Sequence, residues 1–270
     1  MNFDLFSPLQ LLILAGAGLF AGILAGFLGI GGGTVLVPLL LTLGNTPIQS
    51  VATSTLSIVI TAISGSIQNW RMGFLSIDRV SGIAFPALIT AQIGAYLADL
   101  LPAFWLLVAF GCLLLLNIYL VQVRKQVTAQ QRLQEELNED VGSDETSMNP
   151  IFARLLTGSL AGLLAGLFGV GGGVIMVPLQ ILLLGETIKV AIQTSLGVIV
   201  ITAISACFGH ALRGNVLWIP GILLGLGGLV GAQISTRFLP KLPDRVVSLA
   251  FRTLLALLSV YVFWRAWETL

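Results

Sequence analysis

The sequence predicts an all-α integral membrane protein. It would consist of two inverted repeats of about five helical segments each, with a Gly-rich break and a half-length second segment in each repeat. Three observations carry that expectation. The first is composition: 56% of the 270 residues are hydrophobic and 9% are charged, with a mean hydropathy of +1.00. A soluble domain carries about a quarter charged residues. The second is that the apolar residues fall in long runs, such as residues 9–30 and 217–234. Runs of about 20 apolar residues cross a bilayer as helices. The third is duplication. Residues 21–40 read AGILAGFLGIGGGTVLVPLL and residues 161–180 read AGLLAGLFGVGGGVIMVPLQ, identical at twelve of twenty positions at an offset of 140. The match continues at offset 141, where IVITAIS (58–64) meets IVITAIS (199–205), Ala91-Gln92-Ile93 meets Ala232-Gln233-Ile234, and Pro102 meets Pro243.

Each half shows the same order of segments. The N-terminal ten residues hold no Lys or Arg, whereas a secretory signal opens on a basic stretch. The first run is therefore expected to be a retained membrane helix. In the first half the segments span about residues 9–30, 33–43, 47–68, 80–98 and 103–123. In the second they span about 151–170, 173–184, 188–209, 216–237 and 245–267. The second segment of each half rises only about 17 Å as a helix, roughly half the hydrocarbon core. A half-length helix after a glycine cluster predicts a broken or re-entrant element. The organisation is thus a membrane repeat over 1–123, a polar linker over 124–150 and a second membrane repeat over 151–270. The linker contains QQRLQEELNED and then VGSDETSMNP, which reads as solvated and flexible.

Basic residues orient the chain. With five crossings per half, one side receives Arg71, Arg79, Arg124, Lys125, Arg132, Arg154, Lys189, Arg237, Lys241 and Arg245, and the other only Arg213 and Arg265. With four crossings per half the best division is 8 to 4. The positive-inside rule prefers the first arrangement. It places both termini outside and the linker in the cytoplasm of a cell whose plasma (inner) membrane holds the protein. An odd number of crossings inverts the second half relative to the first, an arrangement that recurs in transporters.

The chemistry is expected at the breaks, GIGGGTVLVP (29–38) and GVGGGVIMVP (169–178). Glycine is costly inside helices and supplies unusual backbone angles and close approach. Irregular backbone at membrane depth survives only against protein or beside water. A helix resuming at Thr34 or Val174 would direct free N–H groups and its positive dipole end at that place, which favours an anion. The candidate contacts are Gly31, Gly32, Gly33 and Thr34 in the first break and Gly171, Gly172 and Gly173 in the second. The other use of such glycines is close packing between helices. Intramembrane polar residues supply further candidates: Thr53 and Ser54 answer Thr194 and Ser195, Gln92 answers Gln233, and Asn69 answers His210. Their hydroxyls and amides donate to an anion without a full ionic desolvation cost, and they also bridge helices.

All twelve carboxylates fall in loops, termini or span ends. Cation carriers and proton pumps bury acids along their path, so the substrate is expected to be anionic or neutral. His210, the one histidine, titrates near neutral pH in water and is the candidate for coupling a proton. Arg252 stands two turns into the last segment, placed to snorkel to the cytoplasmic face or to act as a fixed counter-charge. Cys112 and Cys207 sit in apolar stretches without ligand-like spacing, so no disulfide framework, metal or cofactor is expected. HExxH, GxSxG and a buried acid pair are all missing, which argues against an enzyme. A net charge of +1 gives no reason to expect nucleic acid, and the expected partners are a small anion and the lipid bilayer.

The duplicated AGxLAGxxGxGGGxxxxP, the TSL run at 194–196 and the HALRGNV stretch at 210–216 resemble the sulfite exporter TauE/SafE family, also called the toluene sulfonate uptake permease family. The resemblance covers both halves, residues 9–267, apart from the linker. It implies a two-repeat carrier moving sulfite, a sulfonate or a related anion, with the breaks and adjoining polar residues near the pathway. The first half departs at Asn69, where the second has His210, so no symmetric His pair exists. The expected function is a secondary carrier for a small oxyanion, the halves rocking about a midplane site. An anion channel and a non-transporting membrane subunit, with glycines used for packing, are the alternatives.

Overall fold

The computed structural model describes residues 8–116, 118–119, 149–238 and 244–268. The linker expected over 124–150 falls outside them except for Asn149 and Pro150, as does the side chain of Arg252. Ten helices are described: α1 Pro8–Leu28, α2 Gly33–Thr42, α3 Pro47–Arg71, α4 Ile77–Leu100, α5 Ala103–Leu116, α6 Pro150–Phe168, α7 Gly173–Leu184, α8 Ile188–Leu212, α9 Trp218–Phe238 and α10 Asp244–Trp267. Six of these, α1, α3, α4, α6, α8 and α9, are long and apolar enough to span a membrane, and no strand occurs among the described residues.

Local chemistry marks the helix starts. Thr46 caps α3 by accepting from Gln49 N–H while the Gln49 side chain accepts from Thr46 N–H, a capping box with Pro47 just inside, where its missing N–H costs nothing. Thr187 caps α8 and Asn149 caps α6, the latter followed by Pro150. The third and eighth helices each run three residues beyond the lengths expected from hydropathy, ending at Arg71 and Leu212. Their last turns therefore include Asn69 and His210.

Burial separates the helices into layers. The apolar windows of α3 and α8 are 67% and 72% buried, against 44–50% for α1, α4, α6 and α9, so α3 and α8 form the centre. They meet through Ile58, Ala62, Ile199 and Ala203, which are the same two repeat positions taken from both halves. Outward faces carry Leu12, Phe85, Phe152, Phe208, Leu257 and Val260, all exposed, the surface a lipid environment requires.

The flanking helices cross over between the repeats. In the first repeat α4 packs on α6 and α8 of the second, and in the second repeat α9 packs on α1 and α3 of the first. Both outer pairs are backbone-close. A Cβ on Gly158, Gly162 or Gly166 would overlap the carbonyl of Ile83, Ala87 or Ala91, and one on Gly18 or Gly22 would overlap that of Leu224 or Gly228. Small residues permit this approach, and van der Waals contact is what holds helices together in lipid.

Candidate functional site

The two breaks meet at the centre of the molecule. Gly29 and Gly169 end α1 and α6 in the left-handed region, with φ of 66° and 64°. Gly31, Gly32, Gly171 and Gly172 follow with φ between 76° and 79°, a region that side chains rarely adopt. The helices resume at Gly33 and Gly173, where the expected second segments begin. A Cβ at Gly33 would overlap the Gly169 carbonyl, and one at Gly173 would overlap the Gly29 carbonyl. The breaks therefore touch each other, and Ile58 and Ile199 lie against both Gly31 and Gly171.

Glycine packing and open donors occur together here. Gly32 accepts from Val35 and Leu36 N–H at 3.1 and 3.3 Å, and Gly172 accepts from Ile175 and Met176 at 3.3 and 3.1 Å. The N–H groups of Gly31, Gly32, Gly33 and Thr34 meet no acceptor among the described residues, nor do those of residues 171–174. All eight residues are buried. Buried backbone N–H groups are nearly always paired, and here they gather at the positive ends of two half-length helices. Pro38 and Pro178 stand inside those helices, each removing an intrahelical bond one turn on.

The hydroxyls expected near the breaks divide by role. Ser54 Oγ donates to the Gly169 carbonyl at 2.6 Å and Ser195 Oγ donates to the Gly29 carbonyl at 2.5 Å. Each serine thus crosses to the other repeat and satisfies the carbonyl where a helix ends. Thr53 Oγ1 accepts from Leu217 N–H at 3.1 Å, and Thr194 is buried in the equivalent place on α8. Thr34 Oγ1 is fully buried with no partner.

The remaining candidates stand away from the crossing. Gln92 Nε2 donates to the carbonyl and hydroxyl of Ser205 at 2.5 and 3.1 Å, and Gln233 Nε2 donates to those of Ser64 at 3.1 and 3.0 Å. These bonds tie α4 to α8 and α9 to α3. His210 is buried on α8 with Nε2 2.9 Å from the Gly166 carbonyl. The proton therefore sits on Nε2, which leaves Nδ1 as a buried, unpartnered acceptor. Its counterpart Asn69 is also buried, with Nδ2 unpartnered.

Two buried hydroxyls outside the sequence-derived candidates stand on α3. Ser50 and Ser57 are fully buried and unpartnered. A signal for them exists in the sequence: Ser50, Ser54, Ser57, Thr61, Ser64 and Gln68 recur at spacings of 4, 3, 4, 3 and 4 along α3, one face of a helix.

Charged groups lie at the ends. Arg79 pairs with Glu186 at 3.7 Å and Arg154 with Asp78 at 3.6 Å, joining the starts of α4 and α6 to the α7–α8 loop. At the other end of α4, Asp99 accepts from Asn215 Nδ2 at 2.8 Å and lies 3.9 Å from Arg213. Among the described residues no Lys, Arg, Asp or Glu is buried.

Comparison with known proteins places this architecture. A probable membrane transporter protein of Bacillus subtilis, YunE, is 26% identical over 268 residues, covering 93% of this chain and 96% of that protein. A probable membrane transporter protein of Xylella fastidiosa is 25% identical over 265 residues, 97% of this chain and 98% of its own length. One from Haemophilus influenzae is 34% identical over 98 residues, 36% of this chain and 37% of that protein. No solved structure matches the chain. The description of the sulfite exporter TauE/SafE family matches residues 14–262, both repeats with both breaks, and the chain belongs to that family.

Proposed function

We propose that this protein is a secondary carrier for a small sulfur or organic oxyanion, such as sulfite or a sulfonate, working by alternating access. Family membership makes it a membrane transporter rather than an enzyme. The observation that supports an anion is the meeting of two breaks whose buried N–H groups lack acceptors. An unpaired buried donor costs about 1–3 kcal/mol, and several at one place are offset when a negative group binds them. Half-helix N-termini at a midplane site, within two repeats inverted about it, are how secondary carriers hold anions.

In this reading, Gly31, Gly32, Gly33, Thr34, Gly171, Gly172 and Gly173 contact the substrate. Ser54, Ser195, Thr53, Thr194, Gln92 and Gln233 hold the crossing in place. His210, with Nδ1 open, carries a coupling proton at the end of α8, opposite Asn69. The repeats 1–123 and 151–270 have opposite orientations, with the termini outside and the linker 124–150 cytoplasmic in the plasma (inner) membrane. The bodies that rock are the cross-repeat groups α1–α3–α9 and α4–α6–α8, because moving one sequence half as a unit would tear α1 from α9 and α4 from α6.

Proteoliposomes containing the purified protein test the reading with labelled sulfite and methanesulfonate. Saturable uptake with counterflow is expected. No flux of any anion across a broad panel would overturn it, and unitary currents without counterflow would replace the carrier with a channel.

A further inference from the structure

The ion pairs at the start of α4 stand over a seam between α6 and α7. Arg154 on α6 pairs with Asp78, and a Cβ on Gly82 would lie 3.2 Å from its Cδ. Glu186, just past the end of α7, pairs with Arg79. The start of α6 and the end of α7 therefore lie together beside the start of α4. At the second break, a Cβ on Gly172 would stand 3.2 Å from that of Ala161. So α7 runs back along α6, from the break to the ion pairs.

Two polar side chains stand inside this seam. Thr157 is one turn before Ala161 on α6, and Gln180 is one turn after Met176 on α7. Ala161 and Met176 belong to one core cluster, which sets Thr157 and Gln180 on facing sides, one layer nearer the ion pairs. Both residues are wholly buried. Thr157 Oγ1 has no partner. Gln180 Nε2 donates to the Ala191 carbonyl at 3.4 Å, which orients the amide and leaves Oε1 unpartnered. Glu186 Oε2, at the mouth, is unpartnered as well.

The corresponding seam between α1 and α2 is built differently. At offset 140, Leu14, Ala17 and Leu40 stand for Arg154, Thr157 and Gln180, and at offset 141 Ile219 and Pro220 stand for Asp78 and Arg79. Leu14 and Leu40 are buried in the main apolar core, with Ala17 packed against it. Asn45, standing for Glu186, spends its Nδ2 on the Leu40 carbonyl. One seam is thus apolar and satisfied, and the other carries open oxygens from its mouth inward.

A polar group buried without a partner is a cost to the fold. Polar and ionisable residues within a membrane protein are expensive and mark the path of a solute. Water supplies the missing partners wherever it enters a polar seam. Thr157 and Gln180 do not bond each other, so bridging α6 to α7 is not their use.

We propose that the seam between α6 and α7 is the aqueous route by which a hydrated solute passes between the breaks and the face that carries Arg79 and Arg154, with Glu186 at its mouth and Gln180 and Thr157 as its wall. In this structure the seam is shut. It opens as α7, which belongs to neither rocking group, parts from α6. The proposal rests on the carrier reading above and names the route within it.

The test is thiol accessibility in the full-length protein lacking Cys112 and Cys207, in sealed membrane vesicles of both orientations. The probe is 2-sulfonatoethyl methanethiosulfonate, a membrane-impermeant reagent, and Arg71→Cys, exposed at the end of α3 beside the α4 start, reports which face is outward. Such reagents attack the thiolate, which apolar burial suppresses. Thr157→Cys and Gln180→Cys are expected to react from the Arg71 face alone, about tenfold or more faster than Ala17→Cys and Leu40→Cys from either face. In proteoliposomes, Thr157→Ala and Gln180→Leu, the residues of the first repeat, are expected to slow flux about tenfold. Thr157→Ala has no bond to lose, so it is expected to unfold at or above the wild-type temperature. Thr157 and Gln180 thiols that resist the reagent from both faces, equal reaction at Ala17 and Leu40, or unchanged flux in a folded Thr157→Ala protein would each overturn the route. Wild-type flux would then leave the carrier reading standing. A wild type that moves no anion while its seam thiols react would remove the carrier reading and keep the seam as a water-filled crevice.

Discussion

Ser54 and Ser195 show how one hydroxyl sets the shape of a break. Each donates to the carbonyl where the opposite repeat's helix ends, Gly169 and Gly29. Losing either donor strands a buried carbonyl, so Ser54→Ala and Ser195→Ala are each expected to destabilise the protein by about 1–3 kcal/mol. Denaturation in detergent measures this, and values near zero for both would show that the bonds are not maintained. The glycines are less forgiving. Gly33→Ala and Gly173→Ala drive a Cβ into a carbonyl of the facing break, and neither protein is expected to yield a monodisperse folded peak on size exclusion. Gly32→Ala is compromised by a left-handed φ of 78° and by the Ala21 carbonyl 2.8 Å from the new Cβ. Alanine at these glycines therefore reports folding rather than transport, and the hydroxyls are the cleaner probes of function.

At the level of elements, the half-length helices are held at both ends. Arg265 Nη2 on α10 donates to the Leu41 carbonyl at 3.5 Å, where a cation favours the negative end of α2. The α7–α8 loop is held by Glu186 against Arg79. Burial raises the Glu186 pKa above its ordinary 4.5, while Arg79 and Arg154 pull it back in part. A carboxyl whose folded pKa is raised stabilises the fold below its ordinary value, and that contribution is lost as pH climbs through the raised one. Glu186→Gln mimics the protonated form. It is expected to match the wild type in acid and to gain relative stability as pH rises from about 4.5. Melting temperatures of the two proteins across that range give the sign, and a gap that closes as pH rises would contradict it.

For the molecule as a whole, the decisive feature is that the repeats exchange helices. The outer pairs α1·α9 and α4·α6 are locked by backbone contact through glycine, whereas α3 and α8 meet through side chains. Motion is expected at the second kind of contact. In a background lacking Cys112 and Cys207, a cross-link between Asp78→Cys and Arg154→Cys ties α4 to α6 and is expected to leave flux within about twofold. A cross-link between Ala62→Cys and Ala203→Cys joins α3 to α8 and is expected to stop it. Flux that survives the second cross-link would place the moving surface elsewhere.

Membrane residence, the order of the helices, the duplicated breaks and the family were legible in the chain by itself, because each is written in local pattern. Hydropathy marks a span, Gly-x-Gly-Gly-Gly marks a break and an offset of 140 or 141 marks a repeat. Pairing of helices was not legible. In lipid the outward and inward faces are both apolar, so hydropathy does not say which helix faces which. Only the tertiary structure assigns α4 to α6 and α9 to α1. It also decides which polar residues are spent and which are open. Ser54 and Ser57 are the same residue type one turn apart on one face of α3, yet one reaches the carbonyl of Gly169 and the other reaches nothing. The acceptor of the Ser54 hydroxyl comes from a segment more than a hundred residues away, and that distance closes only when the two repeats interlock.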